Sequence, residues 1–161
     1  MIQRIQTVYL LIITILGILT LCLPVFGIHS PSIELNGIYM FDLWAKLPLE
    51  IGAWVIFLPI VALLIPILSS ITIFLFKNRQ LQTKLAITSL LFIVLFYILI
   101  ACFVIMGYFE LSLIFPEGSG DYSIDLKTGA FCLVIGMVIN ILSILAIQRD
   151  EKLVRSLDRI R

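Results

Sequence analysis

Charge is what this sequence has least of. Charged side chains make up 13% of its 161 residues against 61% apolar, and the mean hydropathy is +1.18. A soluble domain carries about 25% charged residues, so this chain cannot cover a water-facing surface and must use lipid as solvent. Cysteine is scarce too. Cys22, Cys102 and Cys132 all fall inside apolar runs and form no CxxC pair. A disulfide framework needs paired thiols in aqueous loops, so these three read as small buried apolar residues. The single histidine, His29, has no neighbouring Cys or His, which is a poor metal signal. A nucleotide loop and a nucleophile elbow are both missing. No cofactor is implied, and a net charge of +1 gives no sign of nucleic-acid binding.

What is present is a set of long uncharged runs. His29 aside, they extend from Arg4 to Glu34, from Glu50 to Lys77, from Lys84 to Glu110 and from Lys127 to Arg149. Crossing roughly 30 Å of hydrocarbon takes about 20 predominantly apolar residues. Lipid also requires every backbone N–H and C=O to be satisfied internally, so each run reads as a helix. The spans are expected near 8–26, 52–76, 85–109 and 128–148, with loops at 27–51 and 110–127 and a tail at 149–161. The first run is too long for a signal-peptide h-region, and no small-x-small cleavage site follows it. It is expected to stay as an anchor. The whole chain therefore reads as one all-α membrane domain, a four-transmembrane-helix bundle.

Orientation follows from counting cations in the flanks. Arg4, Lys77, Arg79, Lys84, Arg149, Lys152, Arg155, Arg159 and Arg161 fall on one side; the other has only Lys46 and Lys127, alongside seven acidic residues. Both termini are thus expected in the cytoplasm. The tail "RDEKLVRSLDRIR" also has internal order. Leu153, Val154, Leu157 and Ile160 recur at helical spacing, and Glu151 precedes Arg155 by one turn. The fourth helix should run on past the membrane or bend to lie along the headgroups. These cations lock orientation and form a candidate partner surface.

The outer loops look structured. Asn36-Gly37 is a strong hairpin signal, predicting strands near 32–35 and 38–41, and the alternation in "DYSIDLK" predicts a third. Three strands with an apolar face make a viable sheet, here a small antiparallel cap on the extracytoplasmic end. Trp44, Trp54, Tyr39, Tyr108 and Tyr122 fall near that interface and look like an aromatic belt.

Ionisable residues within a membrane mark functional sites by default, and the four expected spans have none. Polar residues there reduce to Thr14, Thr20, Ser69, Ser70, Thr72, Thr88, Ser89, Asn140 and Ser143. Asn140 is the costliest to bury, and its amide is expected to bond a neighbouring helix. With Gly136 and Ser143 it forms a small, polar stripe for helix packing. Pro59 and Pro66 share a face of the second span, and each frees a carbonyl one turn back and favours a kink. Glu110, Glu117, Asp121 and Asp125 supply oxygen but lack the calcium-loop spacing.

The ends "MIQRIQTVYLLI" and "AIQRDEKLVRSLDRIR" resemble those of domain-of-unknown-function family 4293, small bacterial inner-membrane proteins with four spans, an early "MIQRIQ" and a terminal "KDEKLVRS-DRLR". Arg149 stands where that pattern has Lys. The resemblance implies a bacterial cytoplasmic-membrane protein and transfers no catalytic residue. The layout is also similar to the claudin-like one, with "GIYMFDLW" echoing its loop signature, although the paired loop cysteines are missing; that is fold analogy alone. The expected function is non-enzymatic: an accessory or scaffold subunit touching a membrane-protein partner through the outer sheet or the tail. The alternative is a small transporter or channel subunit.

Overall fold

Each long uncharged run folds as a helix. In the computed structural model, which describes residues 3–30, 33–45, 56–75, 78–114 and 123–158, the elements in chain order are α1 (Gln3–Cys22), β1 (Phe26–Ser30), β2 (Ile33–Ile38), α2 (Asp42–Ala45), α3 (Phe57–Phe74), α4 (Arg79–Ile114), β3 (Ser123–Leu126) and α5 (Thr128–Asp158). The stretches Ile5–Cys22, Phe57–Phe74, Arg79–Gly107 and Thr128–Asp150 are long and apolar enough to cross a membrane. The chain is a multi-pass membrane protein.

The four long helices close in the cyclic order α1, α3, α4, α5, each flanked by two others. On α4 the inward stripe is Ala86, Ser89, Ile93, Phe96, Ile100 and Phe103, spaced by three and four residues and buried throughout. The outward faces carry large exposed apolar side chains, among them Leu91, Ile98 and Ile105 on α4 and Phe131 and Val138 on α5. Water would penalise such a surface. Lipid does not.

Helix boundaries depart from expectation in ways the sequence explains. The first helix ends at Cys22 rather than running to residue 26. Pro24 has no N–H to continue the ladder and disfavours helical backbone at Leu23, so Leu23 N–H to Leu19 O (2.8 Å) closes the helix. The second span is described only over Phe57–Phe74; residues 46–55 lie outside the described residues. Pro59 therefore stands in the first turn of α3, where its missing N–H had no acceptor within the helix. Pro66 alone stands in the helix interior, and α3 runs through it unbroken from Phe57 to Phe74. The connection into α4 is shorter than read: Arg79 and Lys84 are already helical. Cys22 and Cys102 are free and exposed on the outer face, and Cys132 is partly so, rather than buried.

At the bundle end opposite the termini sits a three-stranded antiparallel sheet, ordered β2-β1-β3. The third strand falls where expected; the hairpin does not. Residues 26–30, read as the end of a span and the start of a loop, form the central strand. Asn36-Gly37 is inside β2, and the register slips there: Phe26 pairs with Ile38 but Ile28 with Leu35, so β2 holds one extra residue. The dipeptide supplies a β-bulge rather than a turn. The sheet's apolar face seals the bundle through Phe26, Ile38 and Ile124, with Phe26 against Phe103 at a centroid distance of 4.6 Å.

The junction of sheet and bundle is tight. Lys127 N–H donates to Val25 O and Gly129 N–H to Pro24 O, both at 2.9 Å. A Cβ on Gly129 would lie 2.8 Å from Pro24 O and 2.9 Å from Leu23 O. Backbone oxygens cannot rotate away as a side chain can. Gly129→Ala is expected to cost about 1–3 kcal/mol by overpacking, read as a lowered unfolding midpoint in mild detergent; a wild-type midpoint would contradict the packing.

Candidate functional site

Buried polar side chains concentrate from mid-depth to the termini end of the bundle. Gln6, Ser69, Thr72, Gln82, Ser89, Asn140, Ser143 and Asp150 are all buried there, whereas in the sheet-proximal half Thr20 is the one buried polar residue among those described. Most hydroxyls satisfy themselves within their own helix. Thr20 donates to Leu16 O, Thr72 to Leu68 O, Ser70 to Pro66 O and Thr88 to Lys84 O, at 2.6–2.9 Å. Such hydroxyls have spent their one donor on their own helix and keep only acceptor lone pairs.

Two bonds cross between helices at mid-depth. Thr14 on α1 meets Ser69 on α3, Oγ1 to Oγ, at 2.8 Å. Asn140 Nδ2 on α5 donates to Ser89 Oγ on α4 at 2.7 Å, and Ser89 in turn donates to Ala86 O at 2.9 Å. Asn140 sits about 15 Å along α5 from Asp150, at 1.5 Å per residue, near the middle of a span. A bond of this kind is worth about 0.6–1.7 kcal/mol in a membrane. Each long helix thus contributes one side chain to a polar layer. The layer is not fully satisfied: Asn140 Oδ1 and Ser143 Oγ, one turn apart, have no hydrogen-bond partner among the described residues.

The second polar centre joins the two ends of the chain. Gln6 Nε2 donates to Asp150 Oδ2 and, at 3.2 Å, to Ala146 O. Arg79, at the start of α4, donates from Nη1 to Asp150 O at 3.3 Å. Asp150 is only 7% exposed. One carboxylate and its backbone carbonyl therefore hold α1, α4 and α5 together at the termini end. Sequence reasoning placed Asp150 in a solvated tail and missed this clasp, because the partners are distant in the chain. The available signal was an amide near one terminus and an acid flanking the last span.

Both clasp residues fall in the two end motifs, and the match to known families has the same reach. A family described as a domain of unknown function, DUF4293, covers residues 2–160. The chain belongs to that family. No curated protein and no solved structure matches it. The DUF4293 assignment thus brings no activity with it, and the reading of the site rests on geometry.

The predicted site residues divide accordingly. Asn140 makes its interhelical bond, as Gly136 packs near Leu16 of α1 at 3.8 Å from an added Cβ. Pro66 packs on Gly17 of α1, whose added Cβ would lie 3.0 Å from the proline ring, and Pro59 is buried in α3. Of the cations, Arg79 turns to the bundle, while Lys84 and Arg149 are exposed. Lys152 and Arg155 lie on the helical extension of α5 by their backbone. Lys77, Arg159 and Arg161 lie outside the described residues, as do Trp54, Glu117, Asp121 and Tyr122. His29 Nε2 lies 3.4 Å from Asp125 Oδ2 across the β1–β3 pair. Among the described residues no three His, Cys, Asp or Glu gather as metal ligands.

Proposed function

We propose that this chain is a non-enzymatic accessory or scaffold subunit of a larger assembly in the bacterial cytoplasmic membrane, with both termini in the cytoplasm. The observation that carries the reading is α5. It runs unbroken from Thr128 to Asp158, continuing past the clasp at Asp150 by about 12 Å of helix at 1.5 Å per residue. That extension bears Lys152 and Arg155 and leads to Arg159 and Arg161. A helix that continues past the clasp, with cations along its sequence, suits a partner more than a free tail. Nine of the eleven cations fall at the termini end or beside it, which supports the cytoplasmic assignment.

Purification from native membranes in mild detergent is expected to bring down a stoichiometric membrane-protein partner, and Arg155→Ser with Arg159→Ser should release it. A wild-type chain that runs alone would refute the scaffold role. The second reading, a small transporter or channel subunit, draws on Asn140 Oδ1 and Ser143 Oγ, buried polar atoms with no partner among the described residues. On that reading, proteoliposomes leak a defined solute and Asn140→Leu stops the leak. Tight vesicles would dispose of it.

A further inference from the structure

We propose that the seam between α1 and α5 at the termini end binds one anionic phospholipid, its phosphate at Arg149 and an acyl chain along the groove below. The groove has a volume of about 490 Å³ and is lined by Ile5 and Tyr9 from α1 and by Leu142, Leu145, Ala146, Arg149 and Asp150 from α5. That volume falls in the range of about 300–1,000 Å³ typical of small-molecule sites.

Its charge and depth match a lipid. Arg149 is exposed and makes no hydrogen bond or ion pair with a described residue. It stands at the last turn of the stretch Thr128–Asp150, the level of the headgroups. Leu145 and Leu142 lie about 6 and 10 Å deeper at 1.5 Å per residue, within the hydrocarbon. Both are exposed, as is Ile5, so an acyl chain reaches them. Tyr9, nearly two turns inside the start of α1, adds an amphipathic side chain to the groove wall. The one acid in the lining, Asp150, is buried and engaged by Gln6, leaving the guanidinium as the groove's exposed charge. A guanidinium forms bidentate bonds to phosphate oxygens.

A second seam provides the contrast. Between α4 and α5, a groove of about 460 Å³ is lined by Val94, Tyr97, Ile98, Ala101, Val134 and Met137. It has room for a chain but no cation to choose a headgroup. Of these two seams, the α1–α5 one alone has a cation to select a headgroup.

The test is native mass spectrometry of the full chain released from nanodiscs of mixed phosphatidylglycerol and phosphatidylcholine. Wild type is expected to retain phosphatidylglycerol about fivefold over phosphatidylcholine, as one interfacial cation provides. Arg149→Gln should bring the ratio close to one, while Lys152→Gln with Arg155→Gln leaves it unchanged. Ala146→Trp, which fills the groove, should lower retention of both lipids. Excess inorganic phosphate should not displace the bound lipid, since the acyl contacts hold it. The proposal is overturned by an even wild-type ratio, by selectivity that survives Arg149→Gln, by selectivity lost with Lys152 and Arg155 instead, or by displacement with phosphate alone. Arg149 is exposed, so its substitution leaves the fold intact and the result readable even where Ala146→Trp does not fold.

Discussion

Gly17→Leu is expected to separate α1 from α3 and lower stability by about 3 kcal/mol or more, at the upper end of overpacking costs. An ideal Cβ at this position would lie 3.0 Å from Pro66 Cδ, 3.1 Å from its Cβ and 3.3 Å from its Cγ. The pyrrolidine ring is held in the helix backbone and has little freedom to yield. The consequences extend beyond one contact. Thr14 lies one turn from Gly17 and bonds Ser69, and Ser69 and Ser70 both donate to Pro66 O, at 3.1 and 2.7 Å. Widening the crossing therefore strains the only described polar bond between α1 and α3. Gly136→Ala serves as the control. A Cβ there meets nothing nearer than Leu133 Cδ2 at 3.7 Å, and alanine is favoured over glycine in a helix by about 1 kcal/mol. Detergent unfolding midpoints should fall sharply for Gly17→Leu and hold or rise for Gly136→Ala. Equal midpoints for the two would refute the crossing as described.

The other large effect concerns the clasp. Asp150→Ala is expected to destabilise the bundle by about 1.5–3 kcal/mol, the range for a hydrogen bond to a charged group. It strips the acceptor from Gln6, whose side chain is 5% exposed and would keep only Ala146 O. Asp150→Asn retains a carbonyl acceptor and should restore most of the loss. Arg79 bonds the main-chain carbonyl and is unaffected by either change. Unfolding of the three proteins in mild detergent decides the matter: an Asp150→Ala midpoint equal to wild type would mean that the chain ends are held by other contacts.

These two positions show where sequence reading stops. The spans were legible because lipid imposes a local rule, a long apolar run with backbone bonds closed inside it. The strand Ser123–Leu126 was legible from alternation for the same reason. Gly17 carried no local mark. It matters through Pro66, far along the chain, and that pairing is set by how two helices cross. Gln6 and Asp150 are farther apart still. Each sits beside cations or in a polar flank, where solvation is the usual outcome, and only the meeting of α1 with α5 buries them. Asn36-Gly37 misled in another way. Its backbone freedom suits a bulge as well as a turn, and Pro24 had already started the sheet early enough to make β1 the partner strand.

A local rule reaches Asn140 in kind, since a buried amide in lipid has to find a partner, and it bonds Ser89 of α4. Its partner's identity was not legible. Nor was the inward turn of Arg79, which the positive-inside count had set among solvent-facing cations. A count of charges locates an end of the bundle; it does not say which of those charges packs.

The start of α1 and the end of α5 lie at the same end of the four-helix bundle, and our proposal, resting on charge balance, puts that end in the cytoplasm. Alkaline phosphatase and green fluorescent protein fused in turn after Arg161 measure this directly in living cells. The fluorescent fusion should glow and the phosphatase fusion stay inactive. An active phosphatase with a dark fluorescent fusion would put the C-terminus across the membrane and contradict the assignment.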